Sequence, residues 1–163
     1  MSINSIAYDQ MIFDQFSTAS KLFAATRRKA VMRQFTEHLL GKDEPLAALD
    51  NLTHLESRER TYRGMRLVPA EKIAGSAYPN RSYDRRFRPL RKDLSLRWIY
   101  SLLSLQRGSG EPVRLFKVWD SYYVADGLSF VSAALSAGAQ YIEAEVWEVG
   151  AGEPADQPIP VNI

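Results

Sequence analysis

The chain has 163 residues, of which 45% are hydrophobic and 25% are charged, values typical of a single globular domain rather than a disordered protein. It contains no cysteine and two histidines, which excludes disulfides, thiol catalysis, iron–sulfur clusters and multi-histidine metal sites. No apolar run is long enough to span a membrane, and the first 14 residues hold no Lys or Arg, so we expect a cytoplasmic protein without a signal peptide.

The net charge of +2 is unevenly distributed along the chain. Residues 58–97 carry 12 Lys or Arg and 4 Asp or Glu, a net charge of +8, whereas residues 1–57 sum to −1 and residues 98–163 to −5. Clustered cations attract phosphate groups. The basic middle of the chain is therefore the first feature that points to a partner.

Two helices are predicted in the N-terminal part. Apolar residues near a 3.6-residue period predict a helix over 16–40, with Phe23 and Val31 on its apolar stripe and Gly41 at its end. An acidic start, an early proline and regularly spaced leucines predict a second helix over 43–55. We therefore expect an N-terminal helical extension that occupies residues 1–60.

A mixed unit is predicted over residues 61–149. In chain order its predicted elements are a strand over 65–69, one turn over 70–73, a loop over 75–89, a helix over 93–106, a hairpin of strands 113–119 and 122–125, a helix over 128–137 and a strand over 141–149 with a charged face. Residues 150–163 are rich in Gly and Pro and predict a flexible tail. The order indicates an α/β (α+β) fold around a small mixed sheet.

Several segments of this unit carry a family resemblance. Residues 113–149 read VRLFKVWDSYYVADGLSFVSAALSAGAQYIEAEVWEV, that is a hairpin whose second strand ends in Asp-Gly, an Ala-rich helix, a Gly and a last strand. Upstream stand RTYRGMRLVPAEKIAGS (60–76), YDRRFRP (83–89) and, in a preceding helix, RRKA (27–30). In these features, over roughly residues 24–149, the chain resembles the ParB/sulfiredoxin-like domain family, the last two features being similar to one bacterial subgroup.

The resemblance implies a nucleotide site at the start of the helix that follows Asp126 and Gly127. Family members carry Asp-Gly-(His or Asn)-His-Arg there, and the His-Arg part contributes to binding nucleotide phosphates. This chain has Ser129 and Phe130 instead, so the loop is degenerate and lacks a cation with five hydrogen-bond donors. The backbone amides after the glycine and the Ser129 hydroxyl remain available to a phosphate. A pocket filled by Phe130 argues against nucleotide binding, and an open pocket beside Arg81 and Arg85 favours it.

The basic segment over residues 81–92 is the second candidate site. The resemblance places this segment near the nucleotide, where Arg81 and Arg85 are expected to reach a phosphate. Cations interleaved with aromatic rings also suit nucleic acid, because cations meet phosphates and rings stack on bases. The candidates for this contact are Arg86, Arg88, Arg91, Lys92, Tyr78 and Tyr83. The alternative is that the arginines are paired or solvated and that the rings anchor the loop, as we expect for Phe87 and Trp98.

The sequence therefore predicts a non-catalytic protein that binds a phosphate-bearing partner. The candidate partners are a nucleotide, CTP or ATP with Mg²⁺, and a nucleic acid. One alternative is an interaction or oligomerisation module with a dead pocket, a homodimer through the helix over 16–40. The last alternative is a nucleotide hydrolase or nuclease, for which no acid or base is found near Ser129. No catalytic residue and no metal ligand are assigned, since the chain has neither a Walker-type loop nor a Gly-x-Ser-x-Gly motif.

Overall fold

Three helices and one five-stranded sheet form the fold in this computed structural model, which describes residues 3–49, 58–110 and 112–150. The helices are α1 (Ile3–Leu39), α2 (Ser95–Gln106) and α3 (Leu128–Ser136). The strands are β1 (Arg60–Pro69), β2 (Ile73–Ser76), β3 (Val113–Val118), β4 (Ser121–Asp126) and β5 (Tyr141–Val149). The predicted mixture of helices and strands is confirmed. No described helix is long and apolar enough to cross a membrane.

The sheet has the strand order β1-β5-β3-β4-β2 and is mixed. The pairs β1–β5 and β3–β4 are antiparallel, and the pairs β3–β5 and β2–β4 are parallel. Helix α3 packs on one face through Val131 and Ala134, which join the core side chains of the strands. In β5 the alternation buries Ile142, Ala144 and Val146 as predicted. The sheet and α3 therefore share the main core.

Helix α2 lies between α3 and α1 and connects the two layers. Its Trp98 ring is fully buried and meets the Phe23 ring of α1 edge to face, with the centroids 5.5 Å apart. Ala19 and Ala30 of α1 are buried on the same side of that helix. Helix α1 is longer than predicted, and its 37 residues span about 55 Å. It is held to the fold along one side only, because Phe35 on the opposite side is largely exposed.

The prediction of a second N-terminal helix is wrong over residues 43–49, which are irregular. Leu46 is buried there without any helical turn, because the segment lies in close backbone contact with β2. A Cβ atom at Gly75 would overlap the carbonyl oxygen of Ala47, so this approach requires a glycine. The rest of the predicted helix, residues 50–55, lies outside the described residues.

Smaller differences concern strand ends and turns. Strand β1 begins five residues earlier than predicted, and β2 lies within the predicted turn and loop region. The hairpin turns at Trp119 and Asp120, one residue before the predicted position, with Trp119 at a φ of 52°. The predicted helix ends at Gly41 and Gly138 are confirmed by their positive φ angles. Of the predicted tail, residues 151–163 lie outside the described residues.

Candidate functional site

A cleft of about 890 Å³ opens beside the turn from β4 to α3. Its walls come from the loop before α2, from α2 itself, from the loop after α2 and from the first turn of α3. Most of the polar groups that line it are uncharged. The polar lining residues are Asn80, Ser82, Tyr83, Arg97, Tyr100, Ser101, Ser104, Asp126 and Ser129.

The Asp126–Gly127 turn delivers the start of α3 into the cleft. Gly127 has a φ of 92°, which lets the chain turn at once from strand to helix. Its N–H donates to Oδ1 of Asp126 at 2.8 Å, and no side chain caps the helix. The first N–H groups of a helix have no acceptor within it and carry the positive end of its dipole. The cleft therefore presents a surface suited to an anion.

Ser129 and Tyr83 form the floor of the cleft. Both are buried, and their hydroxyls share a hydrogen bond of 2.8 Å. Burial raises the pKa of the Tyr83 phenol, an effect that the bond to Ser129 and the charge of Arg97 partly oppose. Tyr83 therefore stays protonated at neutral pH and holds the basic segment against α3. Its ring is not exposed for stacking, in contrast to the predicted contact with a nucleic-acid base.

Arg97 is the one positively charged residue among the described residues that line the cleft. Its side chain is exposed, and within the described part of the chain it has no ion-pair partner. The neighbouring Trp98 fixes the position of α2, because its Nε1–H donates to Oγ of the buried Ser132 at 2.8 Å. Sequence reasoning missed Arg97. The sequence predicted the helix that contains it but gave no sign of which groups this helix packs beside.

Phe130 lines one side of the cleft without closing it. The ring is partly buried in the main core and lies against Gly110, where an added Cβ atom would stand 2.8 Å from it. The space beside the α3 start remains open. The pocket is therefore open, but it does not lie beside Arg81 and Arg85, as the prediction of nucleotide binding requires; the cation that lines it is Arg97.

The structure divides the predicted phosphate-binding residues between two places. Asp126, Gly127 and Ser129 line the cleft. Arg81 lines a separate groove between the end of α1 and the basic segment. Arg85 forms an ion pair with Glu44, a partner 41 residues away in sequence.

Half of the six cations in the basic segment are ion-paired: Arg85, Arg88 and Arg91. Arg88 pairs with Asp84 at 2.6 Å, and Arg91 pairs with Asp93 at 2.7 Å. The Arg91 guanidinium lowers the pKa of Asp93, chiefly through their hydrogen bond. Asp84 is buried and also accepts the backbone N–H of Arg88 at 2.8 Å. The Asp84 carboxylate therefore stabilises the loop through these contacts.

Three cations of the segment remain exposed without an ion-pair partner in the described ranges: Arg81, Arg86 and Lys92. Tyr78 is 42% exposed. Phe87 and Trp98 are buried, as predicted. Of the residues assigned to the predicted nucleic-acid surface, Tyr78, Arg86 and Lys92 remain exposed. The other three, Arg88, Arg91 and Tyr83, have structural partners.

No group of three potential metal ligands occurs among the residues that the structure describes. On β5, Glu148 pairs with Arg63 at 2.6 Å and with Lys117 at 3.8 Å. Glu148 therefore belongs to the charged surface of the sheet.

Comparison with known proteins identifies no relative. A scan against protein-family models, a search of the curated proteins and a search of the solved structures each found no match to the chain. The likeness to the ParB/sulfiredoxin-like domain family therefore stays a prediction that rests on the sequence segments quoted above.

Proposed function

We propose that the protein binds a nucleotide, or a small ligand of the same phosphate-bearing kind, in the cleft at the start of α3, and that it does so without catalysis. One observation carries this proposal: a helix N-terminus without a side-chain cap and an exposed Arg97, which has no ion-pair partner in the described part of the chain, line the same open cleft. Together they supply backbone donors, a helix dipole and a full positive charge to one anion. Members of the family that the chain resembles carry an arginine at the position of Phe130. In this proposal Arg97 supplies that positive charge from α2.

The size and the lining of the cleft fit a nucleotide. Sites for small molecules range over about 300–1,000 Å³, and this cleft measures about 890 Å³. The hydroxyls of Ser101 and Ser104 and the amide of Asn80 suit the polar edges of a sugar and a base. Tyr100, which is 63% exposed on the same side of α2, offers a ring for stacking. Asp126 adds one carboxylate, to which a ribose hydroxyl or a Mg²⁺ ion that accompanies the phosphates can bind.

The absence of catalysis in this proposal follows from the state of the buried groups. A serine acts as a nucleophile when an adjacent base takes its proton. The partner of Ser129 is the Tyr83 phenol, whose pKa is raised by burial, so that it stays neutral and is a poor base. The bond between these two side chains therefore supports the cleft and does not activate Ser129.

Isothermal titration calorimetry tests the proposal with CTP and with ATP, each with and without Mg²⁺. Charge-assisted hydrogen bonds contribute about 1.5–3 kcal/mol each, so we expect Arg97→Ala to raise the Kd for the bound nucleotide about tenfold to a hundredfold. The matched control is the double variant Arg86→Ala/Lys92→Ala, which removes two exposed cations outside the cleft and should leave the Kd unchanged. No heat for either nucleotide at about 1 mM, a weak limit of affinity, would overturn the proposal, and so would equal binding by wild type and Arg97→Ala.

Single-stranded nucleic acid is the second candidate, favoured by Tyr78, Arg86 and Lys92, which remain exposed in the basic segment. The same variants separate the two candidates. If nucleic acid is the partner, Arg86→Ala/Lys92→Ala weakens binding of a short labelled DNA or RNA in fluorescence anisotropy and lowers its salt dependence. Arg97→Ala then has the smaller effect. Anisotropy that is unchanged by the double variant excludes this candidate.

A further inference from the structure

We propose that two copies of the chain associate through the outward side of α1, in antiparallel orientation. This side consists of Phe13, Val31, Met32, Phe35 and Leu39, whose side chains are exposed and face away from the core contacts of the helix. None of the five lines the cleft, so the inference is independent of the nucleotide proposal. Only part of the stripe predicted from the sequence belongs to this side: Val31 does, whereas Phe23 is buried against Trp98.

The spacing along α1 makes this side complementary to itself. Phe13 and Val31 are 18 residues apart, or five full turns of about 3.6 residues, so they lie on one line along the helix about 27 Å apart. Both are nine positions from Leu22. When two α1 helices cross antiparallel at this level, Phe13 of each copy lies opposite Val31 of the other. Ser17, Ser20 and Ala24 lie between them, and such small residues allow a close approach of the backbones.

A groove provides the socket for each Phe13. It measures about 710 Å³ and runs between Val31 and Phe35 of α1 on one side and Pro45 and Leu90 on the other. Phe13 is 67% exposed, which makes it a prominent apolar knob. The antiparallel arrangement places each knob at the groove of the second copy. Buried aromatic anchors in pockets of this kind provide most of the binding energy at protein interfaces.

Charge favours the antiparallel orientation. The first half of α1 carries Asp9 and Asp14 and no cation, while the second half holds five of its cations and one acid. Parallel pairing would bring the five cations of each copy together. In the antiparallel pair, Asp14 of one copy comes next to Arg28 of the other, on the same flank of the interface, twice by symmetry. Lys21 of both copies lies close to the two-fold axis, and this contact between like charges is unfavourable.

The area agrees with a reversible dimer. Five apolar side chains at these exposures present on the order of 500 Å² per copy, and the walls of the groove add to this. A standard interface buries about 800 Å² on each side. We therefore expect dissociation constants in the micromolar range.

Sedimentation velocity of the full chain tests the inference over about 1–100 µM, a range that brackets this affinity. We expect a concentration-dependent dimer, and we expect Phe13→Asp and Phe35→Asp to raise its Kd at least about tenfold. Leu96→Asp is the matched control, since Leu96 is 59% exposed on α2 and outside the interface. Thermal unfolding followed by circular dichroism establishes that each variant is folded. A wild type that stays monomeric overturns the inference, and so does a dimer that withstands Phe13→Asp.

Charge exchange tests the orientation. Asp14→Arg should weaken the dimer, and Arg28→Asp added to it should restore the affinity because the pair is reformed with opposite polarity. Lys21→Ala should tighten the dimer, an outcome that neither unfolding nor non-specific aggregation produces. Failure of the double variant to recover the affinity, or weakening by Lys21→Ala, overturns the antiparallel arrangement.

Discussion

The hydrogen bond between Trp98 and Ser132 lies behind the cleft and joins α2 to α3. Both side chains are completely buried, and Nε1–H of the indole donates to Oγ at 2.8 Å. Ser132→Ala leaves this N–H without its acceptor in the core, a loss of about 1–3 kcal/mol in the free energy of unfolding. For a domain of this length each kcal/mol lowers Tm by about 2–4 °C. A loss near the middle of that range therefore gives a decrease of about 4–8 °C.

A double-mutant cycle with Trp98→Phe isolates the bond from packing. Trp98→Phe removes the donor together with part of the ring, so it leaves a cavity. In that background Ser132→Ala leaves no unpaired N–H, and its effect should be smaller by at least about 1 kcal/mol than in wild type. Urea unfolding followed by circular dichroism measures all four proteins. Additive effects, or a Ser132→Ala protein within about 0.5 kcal/mol of wild type, would refute the reasoning.

Three further predictions concern Tyr83, Gly75 and Asp84. Burial raises the pKa of Tyr83 in the folded protein. Its contribution to the free energy of unfolding is therefore complete below pH ~10, where the unfolded phenol titrates, and is lost as the pH rises further. Tyr83→Phe should flatten this alkaline decrease in the free energy of unfolding, and an unchanged pH profile would contradict the prediction. Gly75→Ala should destabilise the fold by at least about 1–3 kcal/mol, since its Cβ meets the Ala47 backbone, and a wild-type Tm would contradict that contact. Asp84→Asn should lower the free energy of unfolding by about 1.5–3 kcal/mol. It should also speed proteolysis near Phe87, because the φ of 59° at Phe87 depends on the loop that Asp84 binds. An unchanged digestion pattern would count against this prediction.

The parts of the fold that short segments determine could be predicted from the sequence. Alternating Ile142, Ala144 and Val146 specify a half-buried strand wherever that strand pairs. Asp126 and Gly127, between a β-rich run and an Ala-rich run, specify a turn into a helix, because only the glycine readily adopts its φ of 92°. The turn, and its place in the candidate site, could therefore be predicted from the sequence.

The parts that depend on distant contacts could not be predicted. Leu46 occurs with helical spacing among its neighbours, yet it is buried by an irregular segment that contacts β2, and periodicity does not distinguish these two solutions. The partner of Arg85 could not be found in its own segment, because Glu44 stands 41 positions away. Arg97 reaches the cleft only through the packing of α2 on α3. Each of these features depends on which distant parts of the chain pack against each other.

The pairing of β1 with β5 has a consequence for folding during synthesis. These strands lie some 80 positions apart, at residues 60–69 and 141–149, and β5 is at the same time the neighbour of β3. A nascent chain that lacks β5 therefore has two unsatisfied strand edges, which favour pairing with other chains. We expect the sheet to close only after residue 149 has left the ribosome tunnel. Until then α1, α2 and the β3–β4 hairpin are able to form, because their contacts are local in sequence.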